Sequence, residues 1–180
     1  MHPPAVPFTV DDLDAMPEHG RRHELIDGVL YVTPVPDSAH QQAVMKLLIT
    51  LDRCCPDGMH VLLGPLAVRL SDDTELRPDA VVARDEDLTE KGLPVAPALA
   101  VEVLTPNTEL LDRHTKKAAC ERAGTPSFWI VDPAEPRLTV FELDDHRRYR
   151  TAADVKGDVA FDAERPFPVR VVPAELNQPR

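Results

Sequence analysis

The chain has 180 residues, of which 43% are hydrophobic and 28% are charged, and its formal net charge is −11 at pH 7. This length is enough for one domain with a sizeable core and too short for two domains of ordinary size. The composition is ordinary for a soluble globular protein. No apolar run approaches the ~20 residues that span a bilayer, and no secretory signal is visible, so we expect a single cytoplasmic domain over residues 1–180 without membrane contact.

A short helix and a hairpin are predicted first. Residues 1–8 are a Pro-rich lead that we expect to be loose, like the tail at 174–180. Thr9–Asp12 is a capping box, which predicts a helix that ends near Gly20. Residues 23–26 and 29–32 are two short strand-like runs that flank an Asp-Gly pair, which is the signature of a β-hairpin.

The first long helix is predicted from Gln41 to about Cys54. Ser38 begins a second capping box. Apolar residues then recur on one helical face, which must pack against the core; they are Val44, Leu47, Leu48 and Leu51. His40 lies in the first turn, where it can contact a phosphate or orient a carboxylate; the alternative, which we favour, is a helix-entry residue that faces water.

Two strands, Met59–Leu63 and Ala67–Leu70, are predicted next, followed by a polar turn at residues 71–74. The acidic residues around this turn, with Glu75 the last of them, lack the spacing and the glycine of a calcium loop. We therefore expect a solvated hairpin tip.

The centre of the chain holds two short Val-rich runs that each contain or adjoin a carboxylate. Asp79 precedes the run Ala80–Ala83, and Glu102 lies inside the run Ala98–Leu104. Both runs are typical of buried strands. If the strands pair, the two carboxylates lie a few ångströms apart and repel each other unless a cation lies between them. Oxygen ligands of this kind suit Mg²⁺, so the pattern predicts a magnesium site that Mn²⁺ can also fill.

An irregular connection at residues 84–97 separates these strands, and we expect it to cover the site or to form a subunit contact. A helix is then predicted over Glu109–Ala123, closed by Gly124. Asp112 and Lys116 are four residues apart and share one face of it. A lysine beside metal-binding carboxylates can hold an attacking water or stabilise charge on a phosphate. The alternative for Asp112 and Lys116 is an exposed helix ion pair.

The last part of the chain predicts more strands. Residues 127–131 form a third core strand in which Trp129 is a core residue, and residues 138–143 form a fourth. Residues 149–152 and 166–172 are predicted as edge strands. The three cysteines, at positions 54, 55 and 120, make no metal-ligand spacing, and we expect them to pack as reduced thiols.

Six short motifs follow one another in order between residues 9 and 143. They are His23-Glu24-Leu25-Ile26-Asp27-Gly28, Pro78-Asp79, Glu102-Val103-Leu104-Thr105-Pro106, Asp112-Arg113-His114-Thr115-Lys116, Ala123-Gly124-Thr125-Pro126 and Trp129-Ile130-Val131-Asp132-Pro133. In this order they resemble the PD-(D/E)XK nuclease superfamily, and within it the Uma-type family of restriction endonucleases.

The resemblance implies an α/β restriction-endonuclease-like domain with a central mixed β-sheet flanked by helices. It also implies a metal-dependent endonuclease acting on nucleic acid, foremost DNA, with Asp79 and Glu102 as metal ligands and Lys116 as the third catalytic residue. Glu24 and His40 fall on the family's pattern as supporting residues, and Asp112 can support Lys116 by an i,i+4 pair or aid the metal. The alternative for Glu24 is a solvent-facing strand carboxylate. A homodimer is expected as well.

The chain departs from the pattern at three places. The superfamily's usual E-x-K would put a lysine at position 104, which is Leu104 here, but the Uma-type pattern moves that lysine to the following helix, which fits Lys116. Cys120 replaces the family's usual tyrosine and Thr125 its usual valine, so local packing should differ there.

The net charge opposes strong DNA binding, because duplex binders neutralise phosphates with a basic face. Basic runs at residues 21–22, 113–117 and 146–150 are the candidates for such contacts, and we expect weak non-specific affinity. Two alternatives stay open: a catalytically inactive dimeric binding protein that retains the fold, and a metal-dependent hydrolase acting on single strands or RNA.

Overall fold

The computed structural model describes residues 7–17 and 22–177. Its helices are α1 (Val10–Asp14), α2 (Ser38–Asp52), α3 (Lys117–Ala123) and α4 (Pro173–Asn177), with a π-helical segment at Leu111–Lys116 and a 3₁₀ turn at Asp85–Asp87. Its strands are β1 (Arg22–Ile26), β2 (Val29–Thr33), β3 (Met59–Leu63), β4 (Val68–Ser71), β5 (Thr74–Leu76), β6 (Ala80–Arg84), β7 (Leu99–Val103), β8 (Ser127–Asp132), β9 (Arg137–Leu143), β10 (Tyr149–Lys156), β11 (Phe161–Ala163) and β12 (Val169–Val171).

A six-stranded sheet with the order β10-β9-β8-β7-β6-β3 forms the centre of the fold. β7 and β8 are parallel, and the other neighbours in this sheet are antiparallel. A parallel pair needs a crossover, and the chain supplies it through the π-helical segment and α3. The predicted mixed sheet flanked by helices is confirmed.

Helix α2 covers one face of this sheet. Its apolar stripe, with Val44, Leu47 and Leu51, joins one buried cluster with Val101 and Trp129. Trp129 is fully buried, as the sequence predicts. Burying each large side chain of this kind contributes about 1.5–3 kcal/mol, so the packing of α2 fixes the position of its first turn as well.

A second sheet, with the order β2-β1-β5-β4, lies on the side of α3. The hairpin turn has the predicted Asp27-Gly28 pair, and both residues have positive φ, at 52° and 73°, as a type I′ turn requires. Along β1 the side chains alternate: Leu25 packs with α1, while Ile26 packs with α3. Glu24 shares the side of Ile26, because residues two apart in a strand point the same way.

Three predicted boundaries or exposures differ from the structure. Helix α1 ends at Asp14, and the predicted end near Gly20 lies outside the described residues. Glu75 is part of β5 and only 2% exposed, because Arg69 and Arg77 pair with it, so the solvated hairpin tip was wrong for this residue. Residues 173–177 form α4 rather than a loose tail, since Leu176 is buried in the α2 cluster.

Residues 166–172 were predicted to add an edge strand. The strand exists as β12, but it pairs with β11 in a separate two-stranded sheet. The predicted strand at 149–152 is confirmed and extends to Lys156 as β10.

No helix within the described ranges is long and apolar enough to cross a bilayer.

The three cysteines should differ in their reaction with iodoacetamide in the native protein. Cys54 is exposed, whereas Cys120 is buried against the central sheet, and burial raises the pKa of the Cys120 thiol to about 12. We expect Cys54 to be alkylated first and Cys120 only after unfolding in guanidinium, as mass spectrometry of the labelled peptides would show. Equal labelling of both thiols in the folded protein would contradict the packing of α3.

Candidate functional site

Asp79 immediately precedes β6, and Glu102 lies in β7, the antiparallel neighbour of β6. The Asp79 amide donates to the Val101 carbonyl at 3.1 Å, and the charge of Asp79 is near enough to act on the pKa of Glu102. Asp79 is 5% exposed and Glu102 is 1% exposed. The structure therefore brings together the two carboxylates that the sequence places at one site.

Asp79 is held by three donors. Arg22 Nη1 donates to its Oδ1 at 2.9 Å, and the Val103 amide donates to its Oδ2 at 2.9 Å. His40 Nε2 lies 3.0 Å from Oδ2. Burial acts to raise the pKa of Asp79, but the hydrogen bond and charge of His40 and the charge of Arg22 outweigh it and lower the pKa to about 2. Asp79 is thus an ionised carboxylate at neutral pH.

Lys116 is the centre of a second group of charges. It ends the π-helical segment, a type of distortion that is common at functional sites. Its Nζ lies 3.1 Å from both carboxylate oxygens of Glu102, 3.0 Å from Glu24 Oε1 and 3.3 Å from Asp112 Oδ1. Burial acts to lower the pKa of Lys116, but these three carboxylates outweigh it and raise the pKa above its ordinary value.

The structure excludes three solvent-exposed placements that the sequence left open. His40 does not face water, because the packing of α2 directs its first turn onto Asp79. Glu24 is not a solvent-facing strand residue: it is fully buried, and its Oε1 accepts the Arg77 amide at 2.6 Å. Asp112 and Lys116 form an ion pair, but a buried one rather than an exposed one.

The described contacts leave the site with more negative than positive charge. Four carboxylates, those of Glu24, Asp79, Glu102 and Asp112, contact two permanent cations, Arg22 and Lys116. The Arg22 Nη2 atom joins the two groups, since it lies 3.6 Å from Glu24 Oε2. Burial raises the pKa of Glu102 well above its ordinary value, and the Lys116 charge offsets this only in part. Such an excess of carboxylates favours a bound cation or a retained proton.

The donor set fits a magnesium ion bound by few protein ligands. Mg²⁺ is commonly held by one or two carboxylates, with waters or phosphate oxygens in the other positions. Asp79 and Glu102 can supply such a pair, and Glu24 Oε2 and Asp112 Oδ1 are buried oxygens that accept no hydrogen bond. Among residues 7–17 and 22–177, however, no three His, Cys, Asp or Glu side chains form a preformed metal cage.

Access to the site comes from the side of Asp79. One cavity of about 640 Å³ and a smaller one of about 110 Å³ both reach Arg22, His40 and Asp79. Glu102 and Lys116 line neither of these cavities and lie behind Asp79. The 84–97 connection does not reach these two cavities either, since Leu93 packs against Val68 of β4.

Comparison with known proteins fits this geometry. A family model described as "Putative restriction endonuclease", Uma2, matches residues 10–175. The chain belongs to the Uma2 family. A crystal structure of a putative nuclease of the DUF820 group from Anabaena variabilis ATCC 29413 has 21% sequence identity and a TM-score of 0.74, over 94% of this chain and 97% of that one. No curated protein sequence matches. The restriction-endonuclease-like fold is confirmed.

In this Uma2 protein the lysine of the site comes from the helix after β7. Leu104 occupies the usual E-x-K position and is buried among apolar residues, whereas Lys116 reaches Glu102 from the π-helical segment. Thr125 is buried, and its carbonyl accepts the Tyr149 hydroxyl at 2.9 Å. Cys120 is likewise buried, in the apolar cluster between α3 and the central sheet, so both replacements are accommodated by packing.

Arg22 is the site residue that the sequence interpretation did not assign. It was grouped with Arg21 as a local basic run. Because Arg22 lies two residues before Glu24 in β1, both side chains share one face of the strand. The alternation of side chains along β1, together with the expected role of Glu24, is the signal in the sequence that would have identified Arg22.

Proposed function

We propose that this protein is a Mg²⁺-dependent nuclease that hydrolyses phosphodiester bonds of DNA, with Mn²⁺ as a substitute metal. The observation that carries the proposal is that Asp79, next to β6, and Glu102, in the neighbouring strand β7, are close enough for their charges to interact, with the Lys116 ammonium 3.1 Å from both oxygens of Glu102. Membership of the Uma2 family supports nuclease chemistry.

Asp79 and Glu102 would hold the metal, which when bound lowers the pKa of a water ligand and offsets phosphate charge. Asp79 borders the cavities and is ionised at neutral pH, so it is the ligand that an entering substrate meets first. Lys116 orients Glu102 through two contacts, and its positive charge offsets part of the negative charge of the carboxylates around it.

Arg22 and His40 would position Asp79 and the substrate. Arg22 lines both cavities, and its side chain is 17% exposed while Nη1 remains on Asp79. A guanidinium has five donors in a planar fork, so Arg22 can contact a phosphate oxygen without leaving the carboxylate. His40 lies at the start of α2 and holds Oδ2 of Asp79 in place.

Metal binding should depend on Asp79. We expect calorimetry to detect Mn²⁺ and Mg²⁺ binding by the wild type, weakened at least about tenfold in Asp79→Asn because one of two protein ligands is lost. Asp162→Asn is the matched control, since Asp162 is an exposed strand carboxylate paired with Arg170. Metal-dependent cleavage of DNA by the wild type and not by Asp79→Asn would support the nuclease. A wild type that binds no metal at millimolar concentration would contradict it.

A second candidate is a binding protein that keeps the fold without catalysis. Two observations favour it: the Lys116 ammonium already neutralises part of the charge of Glu102, and the net charge of −11 disfavours nucleic acid. The same titration distinguishes the two candidates, because a folded wild type without metal affinity and without cleavage activity fits the second alone.

A further inference from the structure

The larger cavity at Asp79 has one polar end and apolar walls. Arg22, Arg77, His40 and Asp79 form the polar end. The walls come from α2 as far as Ile49, the end of β3 and the segment between β2 and α2. We call this the α2 cavity; its apolar wall residues include Val35, Val44, Met45, Leu48, Ile49 and Leu63.

Several of these apolar side chains are open to solvent. Val35 is 74% exposed, Met45 is 58% exposed and Leu63 is 63% exposed. Large apolar groups that gather beside a polar site usually mark a surface where something binds. An occupant that reaches Asp79 must place an anionic group near Arg22 and Arg77 and an apolar face against α2.

A nucleotide with an unpaired base has this combination of groups. We infer that the α2 cavity binds the base of an unpaired nucleotide while its phosphate lies at Asp79, so that single-stranded DNA is the preferred substrate. This inference rests on the proposed nuclease function. Apolar side chains pack on the flat face of any base, and Gln41, which also lines the cavity, offers an amide donor and acceptor for its edge.

The distribution of charge favours an unpaired strand over a duplex. Three arginines from the basic runs of the sequence are already paired: Arg113 with Glu109 and Asp132, Arg148 with Glu121, and Arg150 with Asp144. A duplex binder needs several phosphate contacts, whereas the α2 cavity offers two arginines, Arg22 and Arg77, which are themselves paired with Asp79 and Glu75. Apolar contact with the base must therefore supply much of the affinity.

The α2 cavity can be tested with a substitution on its exposed rim. Met45→Glu puts a charge on the wall at a position that is 58% exposed, so the fold should tolerate it. Val159→Glu is the matched control, because Val159 is 59% exposed and lines no part of the α2 cavity. Fluorescence anisotropy with a short DNA strand, its duplex and an abasic strand of equal length gives binding, and cleavage with Mg²⁺ is measured separately.

We expect the wild type to bind the single strand at least about tenfold more tightly than the duplex or the abasic strand. Met45→Glu should remove most of this preference, and Val159→Glu should retain it. Equal binding of the single and abasic strands, or unchanged binding by Met45→Glu, would overturn the inference even if DNA is cleaved. A shift from dimer to monomer in Met45→Glu, without loss of base-dependent binding, would assign the face to a second copy of the chain and also overturn it.

Base-dependent binding that Met45→Glu removes, without cleavage of any strand, would support the α2 cavity and contradict the proposed nuclease. Cleavage of single strand and duplex at equal rates in both variants would support the proposed nuclease and contradict the binding of a base in the α2 cavity. The two proposals thus fail in different ways.

Discussion

Replacing Glu102 with glutamine should give a protein that is at least as stable as the wild type and has lost metal-dependent cleavage. Glu102 is 1% exposed, and burial raises the pKa of its carboxyl group because the Lys116 charge offsets the cost only in part. Glutamine keeps the shape and removes one buried charge, while Lys116 retains Glu24 at 3.0 Å and Asp112 at 3.3 Å. Because Lys116 would still be paired with two carboxylates, the change leaves no buried charge without a partner and removes part of the excess negative charge.

The same change removes one of two metal ligands, so the cleavage rate should fall at least about a hundredfold. Urea unfolding and DNA cleavage measure the two effects on one preparation. Glu142→Gln is the control, because Glu142 lies in β9, outside the site, and its ion pair with Arg165 is long, at 4.0 Å. Wild-type cleavage by Glu102→Gln would exclude Glu102 as a ligand. A loss of more than about 2 kcal/mol in the free energy of unfolding would contradict the charge argument.

Replacing Lys116 with methionine should have the opposite effect on stability. The three carboxylates of Glu24, Glu102 and Asp112 would remain buried without their shared cation. Breaking a buried ion pair by removing one partner costs about 3–5 kcal/mol, which is a large part of the stability of a typical domain. Cleavage should be lost as well, since both the lysine charge and the orientation of Glu102 depend on this residue.

A double variant separates the charge effect from a packing effect. Lys116→Met with Glu102→Gln should recover part of the lost free energy of unfolding, because one unpaired carboxylate is removed. Lys156→Met is the surface control, since Lys156 is 59% exposed and 3.7 Å from Glu135. Urea unfolding at neutral pH is the measurement. No recovery in the double variant would mean that Lys116 stabilises the fold by packing rather than by charge.

The sequence by itself predicted the strands that carry the acidic pair. The Val-rich runs that became β6 and β7 are local patterns, and a carboxylate inside such a run must find a partner because its burial is costly. The resemblance to the Uma-type pattern, which has the lysine on the following helix, likewise placed Lys116 near Glu102. These features depend on residues close together in the chain, so short-range patterns were sufficient to predict them.

The tertiary structure alone decided which other polar side chains complete the site. Arg22 and His40 both contact Asp79, at 57 and 39 residues' distance along the chain, and neither contact follows from its local sequence. His40 was expected to face water because helix-entry histidines often do, yet the packing of α2 on the sheet buries it. Whether a polar side chain is exposed or buried depends on the element that packs against it, and that element comes from elsewhere in the chain.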